Sequence, residues 1–208
     1  NTWQQTTTGF DGEGQITSAI GYVTSENLPI MYTLSGHGEK DLDSSFKEDI
    51  QKANIDIKDL NLLTEGKVPD DADCLMIVSP TSDISEEEKN MLENYFDNGG
   101  KLLVMAGPVE SGDLPNLYGL LSDYGVKSDN GVVVDTDDHY AFQAPYILMP
   151  TIESSDITDP LLDENYYAIV PIARGLEVGN TDKDVNVTSL LTTSDEAYSK
   201  VAGYNLTT

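Results

Sequence analysis

Two continuous apolar runs, Cys74-Leu75-Met76-Ile77-Val78 and Leu102-Leu103-Val104-Met105 behind Lys101, constrain this chain more than any other feature. A strand that is apolar at every position offers no face to water, so both of its sides must be covered. That arrangement is typical of parallel sheets sandwiched between helices. The segment between the runs is punctuated as a helix: Ser85 and Glu88 spell a capping box, and Glu86 and Glu87 suit the positive end of a helix dipole. Met91, Leu92, Tyr95 and Phe96 then repeat on one face, and Gly99-Gly100 stops the helix. Strand, helix and strand in this order predict a right-handed parallel crossover.

The pattern extends in both directions. Residues 1–8 are polar and Thr-rich, as a strand or frayed lead-in would be. Ile16, Ala19, Ile20 and Val23 fall on one face of an amphipathic helix. Residues 28–34 read as a buried strand ending in Ser35-Gly36-His37-Gly38-Glu39, and Leu42, Phe46, Ile50 and Ala53 mark a second helix. Residues 55–60 alternate like a half-exposed strand, and Pro69-Asp70-Asp71 is a turn. The second apolar run reads as another central strand closed by Ala106-Gly107-Pro108. Asp113 is then expected to cap a helix that has Pro115 in its first turn and Leu114, Leu117, Leu121 and Tyr124 facing inward.

Helices alternating with apolar strands predict an α/β fold with a doubly wound, mostly parallel sheet, a flavodoxin-like three-layer α/β/α arrangement. Beyond residue 125 the signal weakens. Residues 132–134, 168–172 and 187–192 are expected to be strands, Pro171 marks an edge or strand end, and 136–165 reads as loop. The expectation is a single α/β domain over 1–208, with a core at 10–128 and an irregular extension with further strands at 129–208.

The 37 acidic and 11 basic residues give a formal charge of −26. Such a surface repels phosphate backbones and anionic headgroups, which argues against nucleic acid and direct lipid docking while leaving cationic partners and divalent ions. The single cysteine, Cys74, permits no internal disulfide, and at the head of a strand it is expected to be buried and inert. The chain begins at Asn1, ends at Thr208 and has no apolar run near membrane-spanning length. It is expected to be a piece of a larger membrane-associated protein whose spanning segments lie outside it.

In doubly wound sheets ligands bind beyond the carboxyl ends of the strands. The loops expected there supply the candidate ligand-binding residues Gly36, His37, Gly38, Glu39, Ser79, Thr81 and Gly107. The glycines permit tight or left-handed backbone and leave His37 and Glu39 to point at a ligand. The competing reading is a strand-to-helix turn in which His37 merely bonds its neighbours. No Gly-Lys-Ser/Thr follows, so the loop is not a P-loop, and no cofactor is expected. Ser79 is followed by Pro80 and sits in no Gly-x-Ser-x-Gly elbow, so no catalytic residue is expected; a hydrolase built on His37 with Glu39 or Ser79 is the alternative.

Asp135, Asp137 and Asp138, with His139, could offer alternating oxygen ligands to calcium, although the Gly and distal Glu of an EF-hand loop are missing and a solvated loop competes. Tyr140, Phe142, Tyr146, Tyr166 and Tyr167 are expected to anchor a long loop; exposed, they would form a binding surface for protein or sugar. Asn186-Val187-Thr188 and Asn205-Leu206-Thr207 fit a glycosylation pattern that matters only in a eukaryotic secretory pathway.

Four stretches taken together resemble a known family: residues 32–39, residues 73–80, Glu87-Glu88 through 95–104, and Leu190-Leu191-Thr192-Thr193-Ser194. They are similar to the extracytoplasmic domain of gliding-motility-type ABC-transporter auxiliary proteins, over about residues 10–200 and most densely over 28–108. The resemblance implies a class I glutamine-amidotransferase-like fold without transferable catalytic residues. It also implies an accessory role by protein or ligand binding at the extracytoplasmic face, with an ABC permease and ATPase as partners.

Overall fold

The computed structural model describes residues 12–25, 27–109 and 112–201; the lead-in at 1–8 and the Asn205 sequon lie outside them. The first part runs α1 (Gly12–Thr24), β1 (Ile30–Leu34), α2 (Ser44–Lys52), β2 (Asp56–Leu60), α3 (Leu62–Glu65), β3 (Cys74–Val78), α4 (Glu86–Asp97), β4 (Leu102–Met105) and α5 (Pro115–Asp123). The four strands form one parallel sheet in the order β2-β1-β3-β4. The chain steps outward from β1 to β2, returns across the sheet to β3 and steps outward the other way to β4. That reversal is the doubly wound pattern, and it puts the switch point between β1 and β3.

Helices cover both faces. Against one face lies the larger core of Tyr32, Leu34, Leu75 and Ile77 with Leu92 of α4 and Leu117 and Leu120 of α5. Against the other, Met31 and Met76 pack with Ile50 of α2. The alternation of β2 is explained by its place at an edge, where Asp56 and Asp59 meet water and Leu60 is buried. The apolar run at 102–105 is not a central strand, however. Among the described residues β4 pairs only with β3, so it forms the other edge, and Leu103 is exposed. In α1 the expected helix forms, but Ile16, Ile20 and Val23 are exposed. This helix reaches the rest of the molecule through Ser18 and Asn54 near α2.

The capping box of α4 is made as expected, with Ser85 and Glu88 satisfying each other's backbone amides. The cap of α5 differs. Leu114, not Asp113, holds the N-cap position and makes no side-chain cap bond. The orphan amides of Asn116 and Leu117 instead donate to the Asp83 carboxylate at 2.8 and 3.1 Å. α5 is thereby tied to the loop before α4.

The second part contains β5 (Val126–Ser128), β6 (Val132–Val134), β7 (Ala141–Phe142), β8 (Ala144–Leu148), β9 (Thr151–Ile152), α6 (Asp159–Asp163), β10 (Val170–Pro171), β11 (Leu176–Val178), β12 (Leu191–Thr192) and β13 (Tyr198–Lys200). All its pairings are antiparallel: β10-β8-β7, β11-β5, β12-β9 and β13-β6. The stretch expected to be loop thus carries three short strands and a helical turn. The strand expected at 168–172 contracts to β10, an edge where Pro171 forfeits little by lacking an N–H. Only Leu191–Thr192 survives of the strand at 187–192. Arg174 joins the two parts: its guanidinium lies 3.8 Å from the Tyr118 ring centroid and donates to Ser128, Asn130 and Asp113. Among the described residues no helix is long and apolar enough to cross a membrane.

Candidate functional site at the carboxyl ends of the sheet

The loop after β1 turns sharply because Gly36 and Gly38 adopt φ values of 121° and 73°. Space also dictates the second glycine: a Cβ on Gly38 would stand 2.0 Å from Thr81 Oγ1. The loop is stitched to the one after β3. The amides of Thr81 and Ser82 donate to the His37 carbonyl at 2.9 and 3.0 Å, and the Lys40 amide donates to the Val78 carbonyl. The end of β3 bends at Ser79, which takes φ 46° while its amide donates to the Met105 carbonyl at 2.7 Å.

His37 is turned inward. Its ring lies in the interior with Nδ1 3.0 Å from Glu39 Oε1 and Nε2 3.1 Å from Glu88 Oε2. Glu39 also accepts the His37 backbone amide, and Glu88, only 1% exposed, accepts the Ser85 amide and hydroxyl. The competing expectation of a turn in which His37 bonds its neighbours is the one realised, with the added partner Glu88. With both ring nitrogens against carboxylates, His37 is not placed to serve Ser79 as a base.

At the switch point a cavity of about 300 Å³ opens. Gly36, Gly38 and Glu39 line it, together with Ser35, Lys40, Lys47 and Asp59, whereas His37, Ser79, Thr81 and Gly107 do not. The Gly107 carbonyl is taken by the Tyr118 hydroxyl at 3.4 Å. Opposite charges with exposed loop backbone suit a small polar ligand held by hydrogen bonds. A broader groove of about 620 Å³ lies at the other end of the sheet, lined by turn residues with Lys67, Asp70, Tyr95 and Lys101. It has no convergence of strand-end loops and fits a ligand site less well.

The acidic run at 135–139 is tied into the protein by hydrogen bonds. Asp135, 1% exposed, spends its carboxylate on the Asp137 amide and on the amide and hydroxyl of Ser194. Asp137 accepts from the His139 amide and faces its ring, while Asp138 and His139 lie open to solvent. Among the described residues no three His, Cys, Asp or Glu are grouped to hold an ion. Cys74 is half-buried, and its burial pushes the thiol pKa up. Tyr166 and Tyr167 are exposed rather than buried anchors.

Sequence reasoning assigned Glu88 to the helix cap alone; an acid whose helix neighbours pack on a core is the signal that it needs a second, buried partner. It also passed over Lys40 and Lys47, whose place in the connection after β1 was the available clue.

The model of a family described as "ABC-type uncharacterized transport system" matches residues 19–207. Among solved structures, "mmIFT52 N-terminal domain" superposes with a TM-score of 0.59 at 17% identity, over 81% of this chain and 75% of that one. That likeness is one of fold alone. A comparison with curated proteins finds no match.

Proposed function

The chain belongs to this family of ABC-type transport auxiliary proteins, and we propose that it is a non-catalytic, extracytoplasmic binding domain of such a system. The observation that carries the reading is the family match over residues 19–207. In this reading the domain contacts the permease of a permease–ATPase complex, is held at the membrane by segments outside this chain, and acts by protein contact or by presenting a small polar ligand from the cavity beside Gly36 and Lys40. The gliding-motility-type subgroup and a class I glutamine-amidotransferase-like fold are parts of the same proposal; for the fold, the parallel β2-β1-β3-β4 order is the supporting observation. So is the treatment of residues 10–128 and the extension as one unit, supported by the Arg174 ties.

The placement of His37 supports binding over catalysis, because a hydrolase would need an imidazole nitrogen aimed at a nucleophile or water. The test uses the full-length protein in its native membrane. Co-purification with its co-encoded permease and ATPase, and loss of transport when this domain is deleted, are the expected results. A free-standing protein whose turnover of a substrate is abolished by His37→Ala or Ser79→Ala would overturn the proposal.

A further inference from the structure

Ile157 and Thr158 are neighbours with inverted exposure: the isoleucine is 73% exposed and the threonine 5%. The polar side of this loop is its inside. Thr158 Oγ1 donates to the Glu153 carbonyl and lies 2.9 Å from Ser155 Oγ, and the amides of Thr158 and Asp159 donate to the Ser155 carbonyl. The Ser154 hydroxyl and Ser155 amide close the loop on the Asp159 carboxylate at 2.7 and 3.1 Å. Glu153 in turn is fixed to the β12 region through the Leu190 carbonyl and the Thr192 hydroxyl.

This network holds apolar side chains outward. Ile157, Leu161, Leu162, Tyr166, Tyr167 and Ile169 are all exposed, Tyr167 by 79%. Scattered exposed apolar residues are normal, but a dense group on a hydrogen-bonded support marks an interaction surface. The preorganised loop reduces the entropy lost on contact.

The charges on the same stretch select the partner. Asp156, Asp159, Asp163 and Glu164 interleave with the apolar residues, and no Lys or Arg occurs between Lys127 and Arg174. Two copies meeting through this surface would set carboxylates against carboxylates, and an anionic bilayer would be repelled in the same way. We infer that residues 156–169 form a docking surface for a protein whose contact face combines apolar residues with Lys and Arg. Resting on the function proposed above, that protein is the permease.

The test places a photo-crosslinking benzophenone side chain at Ile157 or Tyr167, and at Lys47 or Lys67 as controls, in the full-length protein in native membranes with its co-encoded permease. Thermal melts confirm that each substituted protein is folded. The expected result is permease adducts from 157 and 167 roughly tenfold above the controls, weakened by the triple change Asp156→Asn, Asp163→Asn, Glu164→Gln and by raised salt. Adducts to a second copy or to lipid, or equal yields from all four positions, overturn the inference. Permease adducts from Lys47 or Lys67 alone also overturn it while leaving the transport reading intact. No permease adduct from any position while the permease still co-purifies overturns this surface alone, and loss of co-purification removes the transport reading with it.

Discussion

His37 and Glu88, 51 residues apart in the chain, meet in the interior with 3.1 Å between Nε2 and Oε2. The contact joins the loop after β1 to the first turn of α4, and Glu39 closes it from the other side at 3.0 Å. Replacing the imidazole leaves two buried carboxylates without their shared partner. His37→Ala is therefore expected to cost about 3–5 kcal/mol in urea unfolding. In a double-mutant cycle with Glu88→Gln the two losses should fall well short of additive. Additive losses would mean that the contact carries no coupling.

Gly38 is expected to resist substitution for two separable reasons. Its φ of 73° alone costs a non-glycine residue about 1 kcal/mol, and the contact with Thr81 adds to that. Gly38→Ala should thus cost about 2–3 kcal/mol, of which Thr81→Ala in the same chain recovers the steric part. Denaturant titration of the single and double variants decides; no recovery would mean the backbone term is the whole effect.

Asp135 is a structural tie between the strand regions around β6 and β13. Asp135→Ala should cost about 2–3 kcal/mol by orphaning the Ser194 and Asp137 amides. Millimolar calcium should leave the gap in melting temperature between wild type and variant unchanged. A calcium-dependent gap would restore the metal reading.

Asp71 is held below the usual carboxylate range first by Lys58, 3.1 Å from Oδ2, and then by the Tyr32 hydroxyl. A depressed folded pKa gives stability that is present above the unfolded value and lost as pH falls through the folded one. Asp71→Asn should therefore lower the melting temperature slightly at neutral pH, and the difference should begin to narrow near about pH 4 and close only once the folded carboxyl is protonated at lower pH. A gap that does not change with pH would show that something other than the charge is at work.

Burial raises the Cys74 thiol pKa, so the native protein should react with iodoacetamide more slowly near pH 8 than the same protein in urea. Equal rates in the two conditions would contradict the buried environment.

The parallel core was legible because its signals are local. The apolar run at 74–78 reads as a strand covered on both faces and is one, and Ser85 with Glu88 marks the next helix start within four residues of chain. The C-terminal part was much less so. Apart from β6, which its three valines mark, its strands of two to five residues carry too little periodicity to be read, and several exist because a distant partner supplies their hydrogen bonds, as β5 does for β11. The edge position of β4 had no signature either, since an apolar run looks the same with one neighbour or two.

The sequence by itself determined the α/β class, the order of elements through α5 apart from the short α3, the glycines of the strand-end loop and a strongly negative net charge, because periodicity, capping and charge are properties of neighbours along the chain. The tertiary structure alone decided that His37 turns inward to Glu88, that Asp83 caps α5, that Asp135 holds Ser194, and that Ile157 and Tyr167 face outward. Each of these depends on which distant group arrives within hydrogen-bond or van der Waals reach, and that is set by how the sheet and its extension pack, not by local propensity.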